Sequence, residues 1–206
     1  MNIPWLDWAK QIQAISQAGL EYGKDGYDLE RYEALRSISV EMMSYFTETP
    51  VDKVRELFAG ESGYATPKVD IRAVVLREDQ MLLVRERADG AWSLPGGWAD
   101  IGLTPSEVAV KETKEEAGYD VRPVRLLAVL DKKRHAHPPS PNHVYKIFIL
   151  CELVGGEALE AGLETTGVGF FSESELPPLS LERNTADQLR RMFALARSTA
   201  SQVLLD

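Results

Sequence analysis

The sequence is short of the residues that cross-link a chain or anchor it in a membrane. Cys151 is its single cysteine, so an intrachain disulfide is excluded. No apolar run approaches the ~20 residues that a transmembrane helix needs. The first ten residues, MNIPWLDWAK, lack the charged and continuous apolar regions of a secretion signal. We therefore expect a soluble protein without membrane contact, and the cysteine usage suits a reducing cytoplasm.

Positive charge is also scarce. The 206 residues include 23 lysines and arginines against 32 aspartates and glutamates, which gives a net charge of −9. This balance argues against non-specific binding to nucleic acid or to an anionic membrane surface. A small anionic substrate is still compatible with it, because bound divalent cations can reverse the local potential.

The N-terminal part of the chain has helical periodicity. The pattern predicts one helix from Pro4 to Gly19, a second from about Leu29 to Phe46 and a short third from Pro50 to Phe58. The aromatic and methionine stripes of these helices are either core or a dimer face. A helical region of about 60 residues would be marginal alone. We therefore expect it to dock on the rest of the chain or on a second copy.

Strand patterns dominate after the linker GESGYATP, so we place a helical domain at 1–66 and a second domain at 67–206. Apolar runs beginning at Val69 and Gln80 predict a β-hairpin. The other predicted elements are two long strands, one short strand and a final helix, which begin at Val121, His143, Thr166 and about Asn184. Cys151 lies in the second long strand, where we expect it to be buried.

A short predicted helix is firmly delimited between Thr104 and Gly118. Thr104 can cap its first turn, Pro105 suits the first helical position, and Glu107 closes a capping box. Gly118 fits the residue after the last turn. Because both ends are defined, the side chains between them can be assigned to faces of the helix.

Three carboxylates share one face of this helix. Glu112, Glu115 and Glu116 are spaced i, i+3 and i+4, which places them within about 100° of arc. A solvated charged face is one interpretation, and the pair Lys111–Glu115 supports it. The like-charge pair Glu112–Glu116 costs a few tenths of a kcal/mol and favours a bound cation instead. Mg²⁺ typically takes one or two carboxylates and keeps waters and substrate phosphates as its other ligands.

The stretch from Gly97 to Tyr119 resembles the Nudix box, G-x5-E-x7-R-E-U-x-E-E-x-G-U, where U is a bulky aliphatic or similar residue. The three glutamates and both glycines match in register. Lys111 replaces the usual arginine, and Leu103 stands where the first glutamate is expected. Asp100 is the candidate to compensate for that missing acid. The preceding LLVRERADGAWSLPGGWAD is also similar to the Nudix lead-in. The resemblance implies an α+β fold, a Nudix α/β/α sandwich with a mixed sheet.

The N-terminal segments WLDWAKQIQAISQAGLEY and DLERYEALRSIS resemble the helical domain of one Nudix subgroup, as do PGGWAD and the H-x-H-P-P loop. That resemblance implies a homodimer that hydrolyses a nucleoside diphosphate linked to a group X, such as CDP-choline, a UDP-sugar or ADP-ribose. The products would be a nucleoside monophosphate and X-phosphate. The alternative is a catalytically weak Nudix-like protein that binds a nucleotide sugar as a sensor, which Leu103 and Lys111 favour.

The resemblance also implies a metal site for Mg²⁺ or Mn²⁺. Its ligands would be the three helix glutamates, with the carbonyl of Gly97 as a further donor. The general base is not identifiable from the sequence. Glu164 is the best candidate outside the helix, and the competing interpretation is a solvated loop residue.

Four basic residues are candidates for substrate binding. Arg72 and Arg85 lie among apolar strand residues, so they point either into the cleft toward phosphate or into structural ion pairs. His135 and His137 lie in KKRHAHPPSPNH, the one concentrated positive patch of the sequence. Over a strand end this patch would suit a phosphate or the X group, and the alternative is a plain surface loop.

Overall fold

The computed structural model describes residues 4–206, so residues 1–3 of the predicted helical domain lie outside the described part. The described chain forms two compact units. The helical unit contains the described residues up to Pro67 together with Pro139–His143. The sheet unit contains Lys68–Pro138 and Val144–Asp206. Among residues 4–206, no helix is both long and apolar enough to cross a membrane.

The helical unit consists of α1 (Pro4–Tyr22), α2 (Gly26–Thr47) and α3 (Val51–Ala59), so the three predicted helices are confirmed. Its buried core is a small cluster made of Leu6, Ala9, Val40, Met43, Val54 and Ala59. The prediction that α1 ends at Gly19 was wrong. The helix continues to Tyr22. Gly19 lies against the ring of Tyr32, where a Cβ atom would overlap ring carbons, so the close packing of the two helices accounts for a glycine at this position.

The buried faces of α1 and α2 differ from the predicted stripes. The interior side of α1 carries Ala9, Gln13 and Ser16. Ser39, Val40 and Met43 are the buried residues of α2. Several large apolar side chains of the predicted stripes are exposed instead, namely Trp8, Ile15, Leu35, Ile38, Tyr45 and Phe46. The stripes were interpreted as either core or a dimer face. The structure places them on the surface of the helical unit, so it favours the second interpretation over the first.

The sheet unit is built on a mixed sheet. Its strands are β1 (Lys68–Arg77), β2 (Gln80–Glu86), β3 (Trp92–Ser93), β4 (Tyr119–Asp131), β5 (Val144–Gly156), β6 (Thr165–Phe171) and β7 (Leu204–Leu205). The order is β3-β2-β1-β5-β4-β7, and β6 pairs with β2. The predicted hairpin β1–β2 is confirmed. At the centre of the sheet β1 and β5 are parallel, whereas β4 and β5 are antiparallel.

Helices cover both faces of this sheet. α4 (Pro105–Ala117) packs through Val108 and Ala109 on a cluster that includes Ala73 and Val75 of β1. α5 (Ala186–Arg197) packs on a second cluster that includes Val74. Successive strand residues point to opposite faces, so one strand serves both layers. The predicted α+β fold, with a mixed sheet between helices, is confirmed.

A segment without regular structure runs beside β1 and leads to α4. The backbone N–H groups of Ile71 and Ala73 donate to the carbonyls of Gly97 (2.8 Å) and Pro95 (2.9 Å). Asp70 and Trp98 form an antiparallel bridge. The segment Leu94–Ala99 is therefore held against the first strand of the unit, and it delivers the glycine pair to α4.

Candidate active site

The helix that carries the glutamates begins and ends as its sequence predicts. The Thr104 hydroxyl accepts from the Glu107 N–H, and the Glu107 carboxylate accepts from the Thr104 N–H at 2.8 Å. Gly118 adopts a left-handed conformation at the end, and its N–H donates to the carbonyl of Lys114. These two ends fix the register and length of α4, so the glutamates have defined positions along it.

Gly96 lies between β1 and α4. Its φ is +140°, and an added Cβ atom would overlap the carbonyl oxygen of Ile71. Its N–H donates to Oε2 of Glu116 at 2.9 Å. No side chain larger than hydrogen fits there, because the backbone conformation and the close approach to β1 both require glycine. The glycine therefore anchors a carboxylate of the helix directly on the backbone.

Glu116 is the most buried glutamate of the three, with 7% of its surface exposed. The pKa of its carboxyl is raised to about 8, mainly by burial, and the neighbouring carboxylates of Glu86 and Glu112 act in the same direction. The Gly96 N–H and Arg72 act in the opposite direction. A cation close to Glu116 would offset the burial and the repulsion and would favour the ionised form.

Lys111 connects the other two glutamates with Asp100. Its Nζ lies 3.0 Å from Asp100, 3.1 Å from Glu112 and 3.4 Å from Glu115. Hydrogen bonds to Asp100 and Glu112 hold the pKa of Lys111 above its usual value. The predicted salt bridge between Lys111 and a helix glutamate is thus present. Asp100 also reaches this cluster, and its compensation for the missing acid stays a prediction.

The three glutamates do not form a closed cage. Among residues 4–206, no three His, Cys, Asp or Glu side chains lie close enough together to hold a metal ion. A ligand set that joins Glu112, Glu115 and Glu116 around one ion therefore stays a prediction. The residues present do fit a divalent cation bound by one or two carboxylates, because Glu116 is a buried acid beside like charges. Mg²⁺ accepts such a partial protein shell.

Gly97 and Glu164 are the two remaining residues predicted for the metal site and the general base. The Gly97 carbonyl accepts from Ile71, which leaves its second lone pair for another partner. A Cβ at Gly97 would lie 3.5 Å from Glu112. Glu164 is exposed in the loop just before β6, and the hydroxyl of Thr165, the first residue of β6, donates to the Glu116 carbonyl at 2.9 Å. The role of Glu164 as base stays a prediction.

The two candidate arginines make structural contacts. Nε of Arg72 donates to Asp70 at 2.9 Å, and Nη1 donates to the Leu94 carbonyl at 3.0 Å. Arg72 is buried, so the geometry favours the ion-pair alternative for it. Arg85 is exposed and donates to the Gly90 carbonyl at 2.8 Å. Phosphate binding by either arginine stays a prediction that this geometry does not support.

The histidine loop is less positive than its sequence indicates. Nδ1 of His137 lies 2.6 Å from the Leu181 carbonyl, so Nδ1 carries the proton and the buried Nε2 offers only a lone pair. Burial lowers the pKa of His137 to about 4, and nearby lysines add to this effect. A neutral imidazole with this tautomer has no free donor for phosphate. His135 lies 3.2 Å from Asp206, and Lys132 pairs with Glu182.

Sequence reasoning missed several ion-paired charges of the sheet unit. Asp70, Glu86 and Lys146 are buried, and Arg183, the partner of Glu86, is partly exposed. Glu86 accepts from the Ser93 hydroxyl and pairs with Arg183 at 2.7 Å. Lys146 and Asp70 lie in mainly apolar strand sequences, HVYKIFIL and VDIRAVV. A charged residue at an inward position of such a strand was the available signal.

Two families match this chain. Residues 4–58 match the family described as "UDP-X-like, N-terminal oligomerisation domain", and residues 66–194 match the NUDIX domain family. A putative ADP-ribose pyrophosphatase, YjhB of Bacillus subtilis (strain 168), is 52% identical over 202 residues. That alignment spans 98% of this chain and 97% of the relative.

Solved structures agree with the sequence matches. A structure described as a UDP-X diphosphatase is 33% identical with a TM-score of 0.64, and the alignment covers 98% of each chain. An ADP-ribose pyrophosphatase from Streptococcus suis 89-1591 is 48% identical with a TM-score of 0.63. It covers 68% of this chain and 100% of its own. Because the NUDIX match takes in most of the sheet unit and the alignments with YjhB and the UDP-X diphosphatase run nearly end to end, the chain belongs to the Nudix hydrolases, and the predicted Nudix pyrophosphatase is confirmed at the level of the family.

Proposed function

We propose that the protein is a metal-dependent hydrolase of nucleoside diphosphates linked to a group X. Water attacks one phosphorus and the bridging P–O bond breaks, which gives a nucleoside monophosphate and X-phosphate. The observation that carries the proposal is the buried Glu116, anchored on Gly96 beside Glu112. The full-length similarity to a putative ADP-ribose pyrophosphatase and a UDP-X diphosphatase supports the substrate class. ADP-ribose and UDP-sugars are the first candidates, and CDP-choline is a third.

The carboxylates of Glu112 and Glu116 would hold Mg²⁺ or Mn²⁺, with Glu115 and the Gly97 carbonyl as further donors. A bound divalent cation neutralises phosphate charge and lowers the pKa of a bound water. The chain contributes the placement of these oxygens. The Gly96 N–H orients Glu116, and Lys111 orients Glu112 through a single ammonium group, where arginine would bind in a bidentate way.

The proton acceptor for the attacking water is a separate part of the proposal. Glu164 lies in the loop that packs on the end of α4, and its side chain is exposed. An exposed loop carboxylate can approach a bound diphosphate without a change in the sheet. Glu115, which is also solvent-accessible, is the other candidate on the helix. We assign the role to Glu164 because Lys111 already engages Glu115.

A catalytically weak nucleotide-sugar sensor is the second candidate function. The observation in its favour is that the Lys111 ammonium already contacts Asp100, Glu112 and Glu115. An internal cation at this position reduces the need for a bound metal. Against this alternative, Lys111 does not contact Glu116, whose raised pKa marks it as the acid that most needs a cation.

The deciding experiment is a substrate panel with Mg²⁺ or Mn²⁺. Wild type, E116Q, E115Q and E152Q would be incubated with ADP-ribose, UDP-glucose and CDP-choline in ¹⁸O-labelled water. The phosphate products would be identified by mass spectrometry, which also reveals the phosphorus attacked. E152Q is a matched control, since Glu152 is an exposed partner of Arg122 on β5.

We expect the wild type and E152Q to turn over at least one substrate. E116Q should lose at least about 100-fold in kcat, or ~2.7 kcal/mol of transition-state stabilisation, because its amide cannot bind a hard cation as a carboxylate does. E115Q should also lose most of its turnover. Full activity in E116Q would refute the proposal. Binding of a nucleotide sugar without turnover by wild type would establish the sensor.

We also propose that the helical unit makes a homodimer. Its family is described as an oligomerisation domain. Trp8, Ile15 and Tyr22 recur every seven residues along α1 and are 56%, 60% and 64% exposed. Residues seven apart share one face of a helix, so these side chains form an apolar stripe on the surface. A second copy of the same stripe is the partner that this description supports.

A further inference from the structure

Lys146 is the largest charged side chain that the sheet unit buries completely. It is 0% exposed, although its neighbours on the same face of β5 are the apolar residues Val144 and Phe148. Burial lowers its pKa to about 8, and the nearby Arg72 also lowers it. One acid, Asp70, forms an ion pair with the Lys146 ammonium. The parallel register of β1 and β5 sets Asp70 directly opposite Lys146, and the ammonium donates to Asp70 Oδ2.

Asp70 is shared between two cations. Its Oδ2 accepts from Lys146, and its Oδ1 accepts from Nε of Arg72 at 2.9 Å. All three side chains are buried. One carboxylate between two cations leaves a positive charge in excess within this triad. Arg72 also lies close enough to Glu116 to favour the ionised form of that carboxyl.

The triad is connected by hydrogen bonds to the segment that orients Glu116. Nη1 of Arg72 donates to the Leu94 carbonyl at 3.0 Å. Two residues later, the Gly96 N–H donates to Glu116. The same segment is also bonded to β1, because the backbone N–H groups of Ile71 and Ala73 donate to the carbonyls of Gly97 and Pro95. The Arg72 guanidinium is therefore one of the groups that hold the segment just before the turn at Gly96.

Stability alone does not account for these charges. Replacement of a buried ion pair or triad by apolar residues of similar volume is often neutral or stabilising. An apolar residue at 146 would suit its neighbours Val144 and Phe148. A lysine there has a different effect: it binds the second carboxylate oxygen of Asp70, the acid that also binds Arg72. A lysine at position 146 has a clear purpose if Arg72 must keep a single orientation.

We infer that Lys146 is a positioning residue, which holds Asp70 and Arg72 so that the Leu94–Gly97 segment stays fixed opposite Glu116. The effect on the segment is independent of the reaction. The effect on turnover rests on the proposed function. The two effects can therefore be tested separately.

The structural test is amide hydrogen exchange in K146M, K146R and wild type, in the absence of substrate. The reporters are the N–H groups of Ile71, Ala73 and Gly96, which make the bonds that hold the segment. V144A is the matched control, because it removes packing on the same face of β5 without removing a charge. If K146M does not fold, K146Q replaces it, since it keeps a donor and loses the charge.

We expect the three reporters to exchange at least about tenfold faster in K146M than in wild type, relative to amides of the β4–β5 pair. K146R should resemble wild type. V144A should change all sheet amides to a similar extent. Equal exchange of the reporters in K146M and wild type would overturn the inference, whether or not the protein proves to be an enzyme.

The kinetic test follows on any substrate that the panel identifies. K146M should lower kcat by about 10-fold to 100-fold while KM changes less than about threefold, since the substrate is still bound but Glu116 is displaced. K146R should recover part of kcat, and V144A should stay within about twofold of wild type. A purely structural lysine would lower thermal stability and leave kcat unchanged. An inactive wild type would refute the proposed function, and the exchange result would still decide the role of Lys146.

Discussion

Glu116 shows how strongly one residue's chemistry depends on its surroundings. Its two neighbours in the predicted cation face differ from it in depth: the Glu112 side chain is 15% exposed and the Glu115 side chain 60% exposed. Only Glu116 is held by a backbone N–H and surrounded by like charges. Three residues of one type on one helical face therefore have three different electrostatic roles.

The raised pKa of Glu116 predicts a pH dependence of stability in metal-free protein. The folded carboxyl has a pKa of about 8, above its usual 4.5. Between these values the folded state holds a proton that the unfolded state has lost. The free energy of unfolding should therefore fall as pH rises from 5 to 8, by at most about 1.4 kcal/mol per pH unit.

E116Q provides the comparison, since its amide does not titrate. Urea unfolding in EDTA would be measured at pH 5 to 8 for both proteins. Wild type should lose stability relative to E116Q as pH rises. His137 titrates lower and is present in both, so its contribution cancels in the difference. A constant difference across this range would contradict the assignment, and saturating Mg²⁺ should reduce the slope.

The sequence predicted which face of α4 carries the glutamates. It did not predict how deeply each glutamate is buried. Spacing fixes which residues share a face, whereas burial depends on what the helix packs against. The same limit applies to Arg72, where the strand pattern left cleft and ion pair open and Asp70 decided between them. For His137, the sequence could not reveal the Leu181 carbonyl, which comes 44 residues later and fixes the tautomer.

At the scale of elements, α4 is the best predicted part of the chain. Its start and end depend on contacts within a few residues, namely the capping box and Gly118. Such local signals are complete in the sequence. The glycine within α1 is different, because the reason for Gly19 is the ring of Tyr32 on another helix. Tertiary contact there overrides the usual tendency of glycine to end a helix.

The capping box of α4 predicts a measurable contribution to stability. T104A removes the oxygen that accepts from the Glu107 N–H and should lower the free energy of unfolding by about 1 kcal/mol. T104S keeps the hydroxyl and should stay within about 0.5 kcal/mol of wild type. Urea denaturation of the three proteins tests this. Equal stability of T104A and wild type would show that the box is replaceable by water.

At the scale of the whole molecule, the helical unit exposes many large apolar side chains and buries only a small core. The sequence predicted apolar stripes correctly but could not decide which side of each helix faced inward. Ala9, Gln13 and Ser16 occupy the inside of α1, where helices approach closely and small or amide side chains fit. The larger apolar residues therefore remain outside, which is the arrangement expected of a surface that meets a second copy.

The dimer proposal predicts the effect of a single charge on this stripe. I15E should give particles with the mass of one 23.0 kDa chain, whereas wild type should have twice that mass. The reason is that a carboxylate cannot be buried against its own copy without a partner. Analytical ultracentrifugation checks this, and V154E, at an exposed site on β5, is the control. A monomeric wild type, or a dimeric I15E, would count against the stripe.

The parallel pairing of β1 with β5 has a consequence for the order of folding. Asp70 and Lys146 are 76 residues apart in the chain, whereas the hairpin β1–β2 and the helices of the first unit are made from neighbouring residues. Contacts between distant residues carry a larger loop-closure cost and form late. During synthesis the helical unit and the hairpin can form while β5 is still being made. The bond that organises the glycine turn is thus among the last to appear, so a chain that has not completed its central sheet cannot yet have an ordered active site.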